Sequence, residues 1–136
     1  MADVGVSLRA HLVGQSAITD LISTRIWCDV FPQAATFPAV IYRQISAVHD
    51  HKIDGLAGAV ESRITYEALA TTRTVSRSII DAIISELDGL RGTYTGVDIL
   101  SITVDAGPEH YTEPPEDRTD NHRYITTIDF LVYHRE

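Results

Sequence analysis

From Glu61 to Ala70 apolar and polar residues alternate in steps of two. Ile64, Tyr66, Ala68 and Ala70 fall on one side, and Glu61, Arg63, Thr65 and Glu67 on the other. That period predicts a strand with one face toward a core. The period then changes. Val75, Ile79, Ile80, Ile83, Ile84 and Leu87 recur at helical spacing and cover about half the circumference of a helix over 72–88. Thr71 or Thr72 can cap its start, and Gly89 suits its end because a left-handed residue there costs glycine nothing. Alternation resumes from Val97 to Asp105, with Leu100, Ile102 and Val104 expected on one face and Ser101, Thr103 and Asp105 on the other. A strand-helix-strand unit this compact predicts two parallel strands, around which the rest of the chain packs.

Toward the N-terminus, Leu8 and Leu12, then Ile18, Leu21 and Ile22, predict a helical hairpin or broken helix over 3–23, with Ser16 able to cap its second part. Arg25 to Pro32 is an extended piece. It is followed by a strand over 37–46, with Val40 and Tyr42 on one face and Ile41 and Ile45 on the other. Arg123 to His134 closes the chain as the clearest strand. Tyr124, Ile128, Phe130 and Val132 share one face, and Ile125, Leu131 and Tyr133 the other. Strands that are apolar on both faces are covered on both sides, within the subunit or by a neighbour. Two stretches lack periodicity: 47–60, which contains the turn signal Asp54-Gly55, and the acidic, proline-broken 107–122. The expectation is a single domain spanning residues 1–136, of α/β (α+β) class. Its sheet has about four strands in mixed directions, helices pack on one sheet face, and two long loops leave opposite ends of the sheet.

Composition narrows the function. At 136 residues the chain is long enough to bury a core without metal or disulfide. Its 11 Lys+Arg against 19 Asp+Glu give a formal net charge of -8, which excludes phosphate attraction as a main source of affinity. The single cysteine, Cys28, forbids an internal disulfide and fits a reducing compartment; flanked by Ile26 and Trp27, it reads as a packed residue rather than a nucleophile. The N-terminus lacks the pattern of a signal peptide, and no segment approaches the roughly 18 apolar residues that span a bilayer, so the expectation is a soluble product of the cytoplasm.

Chemistry is sparse. His49, Asp50, His51 and Asp54 form the densest group of metal-ligand types, and His49 and His51 would point the same way on an extended segment, but spacing fixes no third ligand. Glu109, Glu113, Glu116, Asp117 and Asp120 lack the spacing of a calcium loop. There is no nucleophile elbow, no phosphate-binding glycine loop and no His-Glu-x-x-His. The reading is therefore no enzyme and no cofactor. The alternatives are a metal-binding module or metal-dependent enzyme built on His49, Asp50 and His51, and a cytosolic adaptor that binds a peptide along a sheet edge.

Arg25-Ile26-Trp27, then Phe37-Pro38-Ala39-Val40-Ile41-Tyr42-Arg43-Gln44-Ile45-Ser46, then Asp54-Gly55 leading to Glu61-Ser62-Arg63-Ile64, resemble the tail-completion or tail-terminator family of long-tailed phages. The resemblance continues through the helix at 72–88 and Asp129-Phe130, and relatives occur in prophages and gene transfer particles. It implies a small α/β structural protein of the virion, made in the bacterial cytoplasm. Such a subunit forms a homohexameric ring on the last ring of tail-tube protein, ends tube growth and joins a head-tail connector or stopper protein. DNA passes through its channel without specific binding, and no membrane is involved. The family has no catalytic residues to carry over. The two long loops are the expected contact elements: His49, His51, Lys52 and Asp54 in one, Tyr111, Glu113, Glu116 and Arg118 in the other. Arg25, Arg43 and Arg63 are candidates for pairing between subunits, against the alternative of solvated surface charges.

Overall fold

A computed structural model of the chain describes residues 3–32, 36–49, 59–113 and 123–135. Two short helices open it, α1 (Val4–Leu12) and α2 (Ser16–Ile22). Asp3 caps α1, its carboxylate accepting from the N–H groups of Gly5 at 2.8 Å and Val6 at 3.4 Å. Ser16 is not the cap of α2; Gln15 holds that place, without a side-chain bond. The strands β1 (Ile26–Cys28), β2 (Ala39–His49) and β3 (Ala59–Ala70) follow. Next come helix α3 (Arg73–Leu87) and strands β4 (Gly92–Tyr94), β5 (Val97–Glu113) and β6 (Arg123–Arg135).

These strands form one sheet in the order β1-β2-β3-β6-β5-β4, so the sheet has six strands where the sequence suggested about four. The two additions, β1 and β4, are three residues each and lie at the edges. β1 runs parallel to β2, and every other pairing is antiparallel. β3 and β5 are parallel as expected of the strand-helix-strand unit, but β6 is inserted between them and bonds to both.

The helix α3 forms as its periodicity dictates. The Thr72 hydroxyl accepts from Val75 N–H at 3.3 Å, and Gly89 ends the helix at φ +82°, donating its N–H to the Ile102 carbonyl at 2.8 Å. Ile79, Ile80, Ile83 and Leu87 are fully buried against a sheet face made by Val40 and Tyr42, Ile64 and Tyr66, Ile128, Phe130 and Val132. Leu8, Leu12, Ile18 and Ile22 join the same cluster, so all three helices cover one face. Burial of each such side chain contributes roughly 1.5–3 kcal/mol.

Register corrects two expectations on β5. The pairing slips at Leu100, so that Ile99 and Ile102, rather than Leu100 and Ile102, both turn to the helices; Val104 opposes Phe130 yet stays 37% exposed. A β-bulge inserts one residue and reverses the alternation beyond it. The second correction concerns the loop expected over 107–122. β5 continues through Pro108 to Glu113, pairing Glu109 with Thr127 and Glu113 with Arg123. Proline is tolerated there because the ladder shifts around it on a strand with an open outer side. Gly107, at φ +98°, is the residue that makes room: a Cβ on it would lie 2.9 Å from the Thr127 carbonyl. The first long connection is also shorter than 47–60, since β2 runs to His49 and β3 begins at Ala59.

The second sheet face decides a question the sequence left open. Ile41 and Ile125, expected to be covered within the subunit or by a neighbour, are buried within the subunit, as is Leu69. Trp27 shares the Ile41 face by register, and Phe31 stacks edge-on between Trp27 and Phe37 at 5.6 and 5.3 Å. The Arg123 guanidinium lies 5.0 Å over Phe37. Aromatic side chains of β1 and of the segment after it thus share this face with Ile41 and Ile125.

Candidate functional site

Three surfaces carry the residues singled out in the sequence. The first is the middle of the second sheet face, which is polar because the odd-numbered residues of β3 point there. Arg43 meets Glu67 at 2.9 Å, Thr65 donates to Asp129 at 2.7 Å, and Arg63 meets Asp105 at 2.8 Å. Arg43 also donates to the Asp29 carbonyl at 3.4 Å. Arg25 sits apart, its Nε donating to the Pro38 carbonyl at 2.9 Å. All three arginines therefore have partners within the subunit. Pairs this exposed contribute about 0–1 kcal/mol each, so they order the face more than they stabilise the fold.

The second and third surfaces are the two ends of the sheet. His49 ends β2 beside Ala59, the start of β3, and these two strands run level with Arg135 and Asp98. Glu113 ends β5 opposite Arg123, the start of β6, at the other extremity. The connections 50–58 and 114–122 therefore leave from opposite ends, as the alternating strand directions require. His51, Lys52, Asp54, Glu116 and Arg118, like Asp50 of the metal alternative, lie outside the described residues. Among the described residues no group of three His, Cys, Asp or Glu side chains converges as a metal site, and no helix is long and apolar enough to cross a membrane.

Near Glu113 a cavity of about 140 Å³ opens between the start of α3 and the ends of β5 and β6, lined by Arg73, His110, Tyr111, Thr112, Tyr124 and Ile125. Of these only Tyr111 was singled out in the sequence. Behind it runs a hydrogen-bond chain whose direction is fixed at one end. A guanidinium only donates, so His110 Nε2 accepts from Arg77 at 3.2 Å. Nδ1 then carries the hydrogen and donates to the Thr126 hydroxyl at 3.0 Å. Thr126 in turn donates to Ser76 at 2.9 Å, and Ser76 to the Arg73 carbonyl at 3.0 Å.

Only a neutral His110 fits this chain. Desolvation first, then the cations of Arg73 and Arg77, push its pKa below the ordinary 6.5, against a smaller opposing pull from Asp81. The folded state thus binds fewer protons than the unfolded one, and the contribution is complete above pH 6.5 and lost as pH falls through the lowered folded value. Urea midpoints at pH 7.5 and pH 5 are expected to fall further for the wild type than for His110→Gln. Equal falls would contradict this protonation state.

Cys28, expected to be packed, is exposed. Local desolvation and then the Asp29 carboxylate raise its thiol pKa, which disfavours the thiolate and leaves it a poor nucleophile.

A sheet with polar and aromatic surfaces and connections at both ends offers surface for contacts. Residues 6–130 match the family model described as Tail completion protein gp17. The chain belongs to that family. Tail completion proteins are structural components of the virion tail, which places this chain in the tail of a phage-like particle. Its fold is similar to a chain in the solved structure described as "Virion of native gene transfer agent (GTA) particle", with a TM-score of 0.60 over 98% of this chain and 99% of that one. At 11% identity that likeness bears on the fold alone. No curated protein matches the sequence.

Proposed function

We propose that this tail completion protein assembles as a homohexameric ring at the head-proximal end of the tail tube. There it ends tube growth and offers the surface to which a head-tail connector or stopper protein docks. The observation that carries this reading is the placement of the two connections at opposite ends of one sheet. A subunit built so engages the tube with one end and the head with the other, while its lateral surfaces meet its own copies. The net charge of -8 suits a channel wall along which DNA slides, because like charge prevents adhesion.

The contact elements proposed are the end at His49 with His51, Lys52 and Asp54, and the end at Tyr111 and Glu113 with Glu116 and Arg118. Arg25, Arg43 and Arg63 are the proposed pairing residues between subunits, through an exchange of their present carboxylate and carbonyl partners. Imaging of particles carrying a peptide-tagged copy of the chain tests the location. The tag is expected at the junction of head and tube with six-fold repetition; a tag along the tube, at its far tip or absent from particles would overturn the reading.

A further inference from the structure

We infer that neighbouring copies join through their sheet edges: the outer edge of β2 from Arg43 to Val48 in one subunit pairs antiparallel with the outer edge of β5 from Ser101 to Ala106 in the next. This rests on the ring reading above and adds which surfaces close the ring.

The edge strands leave both stretches open. β1 covers only Val40–Tyr42 of β2, and β4 covers only Val97–Ile99 of β5. Among the described residues no strand pairs with the remainder of either outer edge. An unpaired edge is a row of N–H and C=O groups that templates another strand, and among the devices by which monomeric proteins blunt such rows are proline and lysine. Neither stretch contains one.

The two edges also fit each other. Register carried across the sheet links Gln44 to Ile64, Phe130 and Val104, and Ala47 to Ser62, Val132 and Ile102. The open stretches therefore stand at the same height on opposite sides of the subunit. β2 is antiparallel to β3, β3 to β6 and β6 to β5, so β2 and β5 run in opposite directions. Copies related by rotation about an axis along the strands keep those directions, and their contact is the antiparallel ladder. Within the two open stretches, β2 has a bulge between Gln44 and Ser46 and β5 has one between Val104 and Ala106, at neighbouring heights. Each also exposes an apolar side chain there: Ile45, 57% exposed, on one edge and Val104 on the other. A contact made by two different edges is head-to-tail, and head-to-tail contacts close into rings when the rotation permits.

Chemical linkage in assembled particles tests the pairing. Within one subunit Gln44 and Val104 are three strand spacings apart, about 14 Å, whereas across the proposed contact they face each other. Particles carrying Gln44→Cys with Val104→Cys, in a Cys28→Ser background, are treated with a bis-maleimide shorter than that separation. The expected result is a ladder of covalent multimers on a denaturing gel, absent from either single variant. Incorporation into particles without multimers, or linkage to a different protein, overturns the edge pairing and leaves the ring reading standing. Absence of the wild-type chain from particles overturns both. As a second arm, Ile45→Lys is expected to keep the wild-type urea midpoint and to enter particles at least ten-fold less; incorporation at the wild-type level overturns the pairing.

Discussion

Phe130→Ala is expected to remove about 3–5 kcal/mol of folding free energy, the usual cost of emptying a fully buried phenylalanine site. Phe130 has no exposed surface, opposes Ile64 on β3, and meets the Tyr66 ring edge-on at 5.8 Å. Tyr66 is itself fully buried, and that burial raises its pKa. Removing the ring therefore costs the transfer term, the cavity left between β6 and the helices, and an aromatic pair. Small domains are stable by only 5–15 kcal/mol, so this variant sits near the edge of folding. Val104→Ala, directly opposite Phe130 on β5 but partly exposed, is expected to cost under about 1 kcal/mol. Urea unfolding of the two variants is the check. A Phe130→Ala midpoint as close to wild type as that of Val104→Ala would contradict the core described above.

Much of this core was legible in the sequence because it lies on long, regular elements. In β3 the run Ile64, Tyr66, Ala68, Ala70 is uninterrupted, and all four residues are buried on the helix side. In α3 six apolar residues keep helical spacing through four turns. In β6 the alternation from Ile128 to Val132 is intact. What escaped the sequence depends on contacts between distant residues. β1 and β4 are three residues each, and nothing in Gly92-Thr93-Tyr94 marks a strand until β5 lies beside it. The bulge at Leu100 changes which residues face the helices without altering composition. Proline and glycine at 107–108 read as loop signals, yet the long edge of β6 holds β5 in place beyond them.

The candidate surfaces divide the same way. That the two connections leave opposite ends followed from strand directions alone, and the pairing preserves it. The sequence left open whether Ile41 and Ile125 are covered within the subunit or by a neighbour, because the aromatic row that shares their face comes from Trp27 of β1 and from Phe31 and Phe37 in the segment after it. The partners of Arg43 and Arg63 are 24 and 42 positions away, at Glu67 and Asp105, and only register reveals them. The chain through His110, Thr126 and Ser76 draws on three elements and carried no signal in any one of them.

The central proposal for this tail completion protein is that it ends the tube and joins it to the head. On that proposal, a tube lacking the chain has neither a stop nor a docking surface. Particles produced without the chain therefore give the most direct test, read as the distribution of tube lengths and the fraction of heads that carry a tail. The account predicts tubes of irregular length and heads left unjoined, with both defects repaired when the chain is supplied again. Tubes of uniform wild-type length, attached to heads as usual, would contradict it.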